Sequence, residues 1–141
     1  VQATSTPGAV IATLQAEFAS ARESPLVVLG LPGAVRIVAL ADDNRLPVSG
    51  AARVRFVNGS SDTAAYDVYV GDTKLVSALA AGTAAPYLPI VAGTNTVTFR
   101  DPGTGAVALT IADQSFNDGA VLSIFAVGIA GALASVVDND R

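Results

Sequence analysis

The chain has no cysteine, no histidine, no methionine and no tryptophan in its 141 residues. Without cysteine there are no disulfide staples, and thiols say nothing about the compartment. Without histidine or cysteine the usual general bases and thiol nucleophiles are missing. The lack of methionine, position 1 included, is expected of a processed product or of an excerpt. A start at Val1-Gln2-Ala3 suits the mature end left by signal-peptide cleavage. Charge is also scarce, at 14% of residues against roughly 25% in an average soluble domain. Lys74 is the one lysine, and the arginines are scattered, so the basic footprint of a nucleic-acid binder is absent. With five Phe and three Tyr, the 51% hydrophobic content is mostly Ala and Val, which suits thin Val-rich strands.

What is present reads as short strands at regular spacing. ARVRFVN (52–58) alternates Arg53, Arg55 and Val57 against Val54 and Phe56. AYDVYVG (65–71) alternates Tyr66, Val68 and Val70 against Asp67 and Tyr69, and Gly71-Asp72 turns it into TKLVSAL (73–79) as a hairpin. PYLPIV (86–91) carries the prolines of an edge strand. Ala92-Gly93-Thr94 then turns into NTVTFR (95–100), and DPGTG (101–105) leads to AVALTIADQSF (106–116). Residues 119–137 hold 19 uncharged residues, near the ~20 of a spanning helix. Their flanks are Asp118 and Asp138 and their centre is GIAG, so two strands (120–128 and 132–137) around a turn fit better than a transmembrane segment. Seven or eight short strands in about 90 residues predict an all-β protein, an antiparallel immunoglobulin-like β-sandwich.

The first third of the chain repeats the last. Moved forward by about 98 positions, PGAVIATLQAEF (7–18) lies over TGAVALTIADQSF (104–116), and LVVLGLPGAVRIV (26–38) lies over 123–137. Gly30 then falls on Gly128 and Gly33 on Gly131 and, after a small slip, Asp42-Asp43-Asn44-Arg45 falls on Asp138-Asn139-Asp140-Arg141. TLQAEFASARE (13–23) has helix propensity, but the repeat argues there for a strand followed by a turn. The expectation is a complete sandwich unit at 46–141, preceded at 1–45 by a partial repeat holding only the last three strands of another unit.

ARVRFVNGSSDTAAYDVYVGDTKL (52–75), YLPIVAGTNTVTF (87–99) and the acidic ending together resemble the family catalogued as domain of unknown function 4397. Its hallmarks are A-R-V-R, then H-A-S-P-D-A-P, V-D-V-Y-V, and Y-L-x-x-x-A-G-T. Ala52 to Arg55, Asp62, Asp67 to Val70, Tyr87-Leu88 and Ala92-Gly93-Thr94 match them, whereas Asn58 and Ser61 replace the histidine and proline. The resemblance implies an exported, non-catalytic sandwich module of a kind often found in tandem, and any role resting on that histidine is lost here.

Candidate sites are few. The acidic ends offer Asp42, Asp43, Asp138 and Asp140 as weak calcium ligands, hard oxygen donors without EF-hand spacing; as residues of solvated turns they need no metal. Asn58-Gly59-Ser60 is formally a glycosylation sequon, while Ser60, Ser61 and Asp62 suit backbone bonding within their loop. Arg53, Arg55, Asp67 and Tyr69 could form a surface patch, or simply a cross-strand ion pair on a solvated face. No cofactor site is readable, and no enzyme is expected.

The partial repeat carries Val10, Leu14, Leu26, Val28, Ile37 and Leu40 on a face without an opposing sheet of its own, and small isolated sheets are marginal in water. These six are the expected self-association residues. The function expected is that of an exported structural protein of the cell surface or envelope, forming a homo-oligomer or homopolymer by β-strand complementation, such as a fimbria-like filament in which donor strands drive self-assembly. The alternative is a monomeric adhesion or ligand-binding module of the cell envelope.

Overall fold

A computed structural model of the chain describes residues 13, 26–30, 35–40, 43, 45–62 and 64–140. It divides into two compact units, residues 1–42 and 43–141. The strand expected at 7–18, the 13–23 segment beyond Thr13, and Val10, Leu14, Gly33 and Asp42 lie outside the described residues. In the first unit β1 (Leu26–Leu29) and β2 (Arg36–Ala39) form an antiparallel hairpin in the register Leu26↔Ala39 to Leu29↔Arg36.

The second unit is built from strands β3 (Ala51–Ser60), β4 (Tyr66–Val70), β5 (Thr73–Leu79), β6 (Thr83–Ala84), β7 (Leu88–Val91), β8 (Gly93–Arg100), β9 (Val107–Phe116), β10 (Val121–Ile129) and β11 (Ala132–Asn139). No described residue is helical. One sheet runs β11-β10-β3, with β6 and β7 sharing the far edge of β3; the other runs β5-β4-β8-β9. All pairs are antiparallel except β3 with β10. That parallel pair departs from the purely antiparallel expectation. It joins strands from opposite ends of the unit, with Val54 beside Leu122 and Val57 beside Phe125.

The turns follow from residue chemistry. Gly71 (φ 58°) closes the β4–β5 hairpin in the left-handed region that glycine enters without a Cβ penalty. The uncharged stretch 119–137 is the β10–β11 hairpin, and Gly128 (φ 115°) is needed there because a Cβ would stand 2.5 Å from the carbonyl oxygen of Ala132. The turn expected over 92–94 shrinks to a bend at Ala92, since Gly93 and Thr94 already pair with Phe116 and Ser115.

Period-2 alternation sends Val54 and Phe56 of β3, Tyr66 and Val68 of β4, Val97 and Phe99 of β8, and Leu122 and Ile124 of β10 into one core. Phe99 meets Phe56 and Tyr66 edge to face, at centroid distances of 6.3 and 6.5 Å, a geometry that adds about 0.5–1.5 kcal/mol per pair beyond area burial. The residues between these on β3 and β4 therefore point away from the core, on opposite sides of the unit.

Candidate functional site

On the outer side of β3 the two arginines of A-R-V-R are not solvated. Arg53 and Arg55 lie over the ring of Tyr87, 5.2 and 4.7 Å from its centroid. Such cation–π stacking suits the planar guanidinium. Arg55 Nε and Nη2 donate to Ser123 Oγ at 2.9 and 2.8 Å, and Ser123 is the register partner of Arg55 on β10. Ser123 Oγ in turn donates to Asp140 Oδ2 at 2.6 Å, and the Tyr87 hydroxyl donates to the same oxygen at 2.8 Å. Arg55 Nη2 lies 3.9 Å from that oxygen, with both side chains almost fully buried, 3% and 2% exposed. Burial, and then its bond to Asp140, push the Tyr87 hydroxyl well above its ordinary pKa, so it is a donor at every physiological pH.

Arg53 binds a second acidic residue. Its Nη1 donates to the backbone carbonyls of Asp43 and Arg45, and its Nη2 to Asp43 Oδ2, each at 3.0 Å. Asp43 also accepts from Arg45 Nε at 2.8 and 3.0 Å. Arg45 and then Arg53 hold its carboxyl well below the usual carboxylate range. Beside this cluster Arg45, Leu46, Pro47, Val48, Arg53 and Pro89 line a shallow depression of about 310 Å³.

The proposed patch of Arg53, Arg55, Asp67 and Tyr69 is not brought together. Asp67 and Tyr69 sit on the outer side of the other sheet. Asp67, 5% exposed, accepts from Lys74 Nζ at 2.6 Å and from the Ala78 amide at 2.8 Å. Ala78 has a φ of 47°, and the β4–β5 register shifts on both sides of Val68, so the V-D-V-Y-V aspartate ties down a bulged edge strand. Arg100 stacks on the Tyr69 ring at 4.2 Å. Lys74 first, and then the Ala78 amide, lower the Asp67 pKa. A depressed carboxyl stabilises the fold above the unfolded aspartate value of about 3.9 and loses that contribution as pH falls below it. The gap in urea midpoint between wild type and Asp67→Asn should therefore narrow between about pH 6 and about pH 3; an unchanged gap would contradict the pairing.

Two of the four calcium candidates are engaged by other side chains. Asp43 serves two arginines, Asp140 serves Tyr87 and Ser123, Asp138 is exposed on β11, and Asp42 lies outside the described residues. Among the described residues no three acidic side chains cluster as metal ligands. The sequon asparagine, Asn58, is fully buried and donates to the carbonyls of Ala64 and Leu79 at 2.9 and 2.8 Å, which closes it to glycosylation in the folded protein. It thus holds the loop that follows β3 from the position where the family pattern has histidine. Asp62 accepts from the Ala64 and Ala130 amides, linking that loop to the β10–β11 turn.

Of the expected association residues, Leu26 and Val28 are 52% and 51% exposed, Ile37 is half-buried and Leu40 is buried. Val10 and Leu14 are outside the described residues. Sequence reasoning missed Ser123 and Tyr87 as partners of the arginines. The available signal was the pair of arginines at i and i+2 on one strand face, in a chain with carboxylates at its unit ends.

Compared with known proteins, residues 52–141 match the family model described as Domain of unknown function (DUF4397). No curated protein matches the chain.

Proposed function

From the premise that this chain belongs to the family described as Domain of unknown function (DUF4397), we propose that it is a non-enzymatic, exported structural module that associates with copies of itself through the β1–β2 hairpin. Its second unit is read as an immunoglobulin-like sandwich: nine strands in two sheets share one core. Its first unit is read as the end of another such sandwich.

The carrying observation is a register. Each β1–β2 pair, moved forward 98 positions, is a β10–β11 pair: Leu26↔Ala39 becomes Ile124↔Val137, and Leu29↔Arg36 becomes Val127↔Ala134. Gly30, at φ 111°, takes the place of Gly128 at φ 115°. The surroundings differ. β10 is bonded along its other edge to β3, whereas among the described residues β1 pairs only with β2. Ile124 and Ala126 are fully buried, yet their counterparts Leu26 and Val28 are half exposed. We read the hairpin as a sandwich edge that has no further strand beside it among the described residues, and an open strand edge with an apolar face invites pairing. A strand supplied by another copy is head-to-tail complementation, which builds open filaments when the rotation does not close.

A non-enzymatic role accords with the chemistry of the site. The Ser123 hydroxyl is buried between Arg55 and Asp140, and the carboxylates near it accept bonds that hold the fold. The depression beside Arg53 favours the second reading, a monomeric adhesion or ligand-binding module of the cell envelope. Native mass measurement with negative-stain imaging separates the two. Self-association predicts masses at multiples of 14.1 kDa or visible fibres; a stable monomer sinks it.

A further inference from the structure

We propose that the two outward arginines of β3 form a clamp for two successive acidic ends, Arg55 holding the tail of its own unit and Arg53 strapping down the segment that enters it. Arg53 and Arg55 are two residues apart on one strand face and share the Tyr87 ring, so the two sites adjoin. Each takes an aspartate from one of the two acidic endings, Asp43 from DDNR and Asp140 from DNDR. The two differ in kind. The Arg55 site is buried and routed through Ser123 and Tyr87. The Arg53 site is at the surface and reaches backbone: the same Nη1 takes the carbonyls of both Asp43 and Arg45.

Asp43 and Arg45 are therefore not free linker but parts of a strap bound to β3. The strap itself stands on these contacts. Only the identification of Asp43 as the end of an earlier repeat rests on the reading under Proposed function, and the test below is independent of oligomeric state.

The Arg45 carbonyl that accepts from Arg53 belongs to the Arg45–Leu46 peptide bond, a trypsin site with an exposed arginine side chain. A protease needs that segment extended and released. Limited trypsin digestion of the full chain, followed by mass spectrometry, reads its release directly. Arg53→Gln removes three hydrogen bonds to the strap, and cleavage after Arg45 should rise at least about tenfold, with cleavage after Lys74 and Arg100 unchanged. Should that variant not fold, Asp43→Asn carries the test, with a rise of about threefold or more at the same bond. An unchanged rate after Arg45, or an equal rise at Lys74 and Arg100, overturns the strap.

Discussion

Asp140→Ala should cost the 43–141 unit about 3–5 kcal/mol, the usual penalty for removing one partner of a buried ion pair. It is costly here because the Asp140 carboxylate is the acceptor on which Ser123 and Tyr87 converge, and Arg55 remains buried beside it. Losing it removes the carboxylate 3.9 Å from a guanidinium that is 3% exposed, and strips the acceptor from the Ser123 and Tyr87 hydroxyls. Replacing both ends, Arg55→Met with Asp140→Leu, should cost less than the sum of the single changes, since no charge is then stranded. Urea unfolding followed by circular dichroism measures both. A loss below about 1 kcal/mol for Asp140→Ala would mean that the tail is only resting on β3.

Phe99→Ala is the second large effect, about 3–5 kcal/mol. Phe99 is fully buried; its edge-to-face contact with Phe56 joins the two sheets, and that with Tyr66 lies within its own sheet. In a chain with few aromatic residues the gap cannot be filled by a neighbouring ring. Val136→Ala, on the exposed β11, should stay within about 0.5 kcal/mol under the same urea titration. Equal losses at the two positions would show that the sheets do not share the core described.

Much of the second unit was legible because its signals are local. Alternation on β3 and β4, Gly71-Asp72, the prolines around β7 and the GIAG turn each act within a few residues, and each expected strand appears within a few residues of its place, while the two-residue β6 was not expected. The pairing of β3 with β10 was not legible, because Arg55 and Ser123 are 68 residues apart and no period records such a contact. The same holds for Tyr87 and Asp140, 53 apart. Alternation correctly put Arg53 with Arg55 and Asp67 with Tyr69. It did not tell that the strands carrying these pairs turn opposite sides to the core, which is why the four do not meet. Asn58 stands in a formal sequon, and composition does not reveal that a polar residue at a strand end finds two carbonyls inside. The acidic endings read as solvated turns or metal ligands; the structure sets Asp43 and Asp140 beside the arginines of β3.

The most direct test of self-association through the hairpin is sedimentation equilibrium of the wild-type chain beside a Leu26→Asp, Val28→Asp variant. The two substitutions charge the face whose counterparts in the second unit are buried, while leaving residues 43–141 untouched. Strand complementation predicts a wild-type mass above 14.1 kDa that grows with concentration, and a variant that sediments at 14.1 kDa with the same circular dichroism. A wild-type chain that remains at 14.1 kDa at every concentration, or a variant that associates as strongly as wild type, would contradict it.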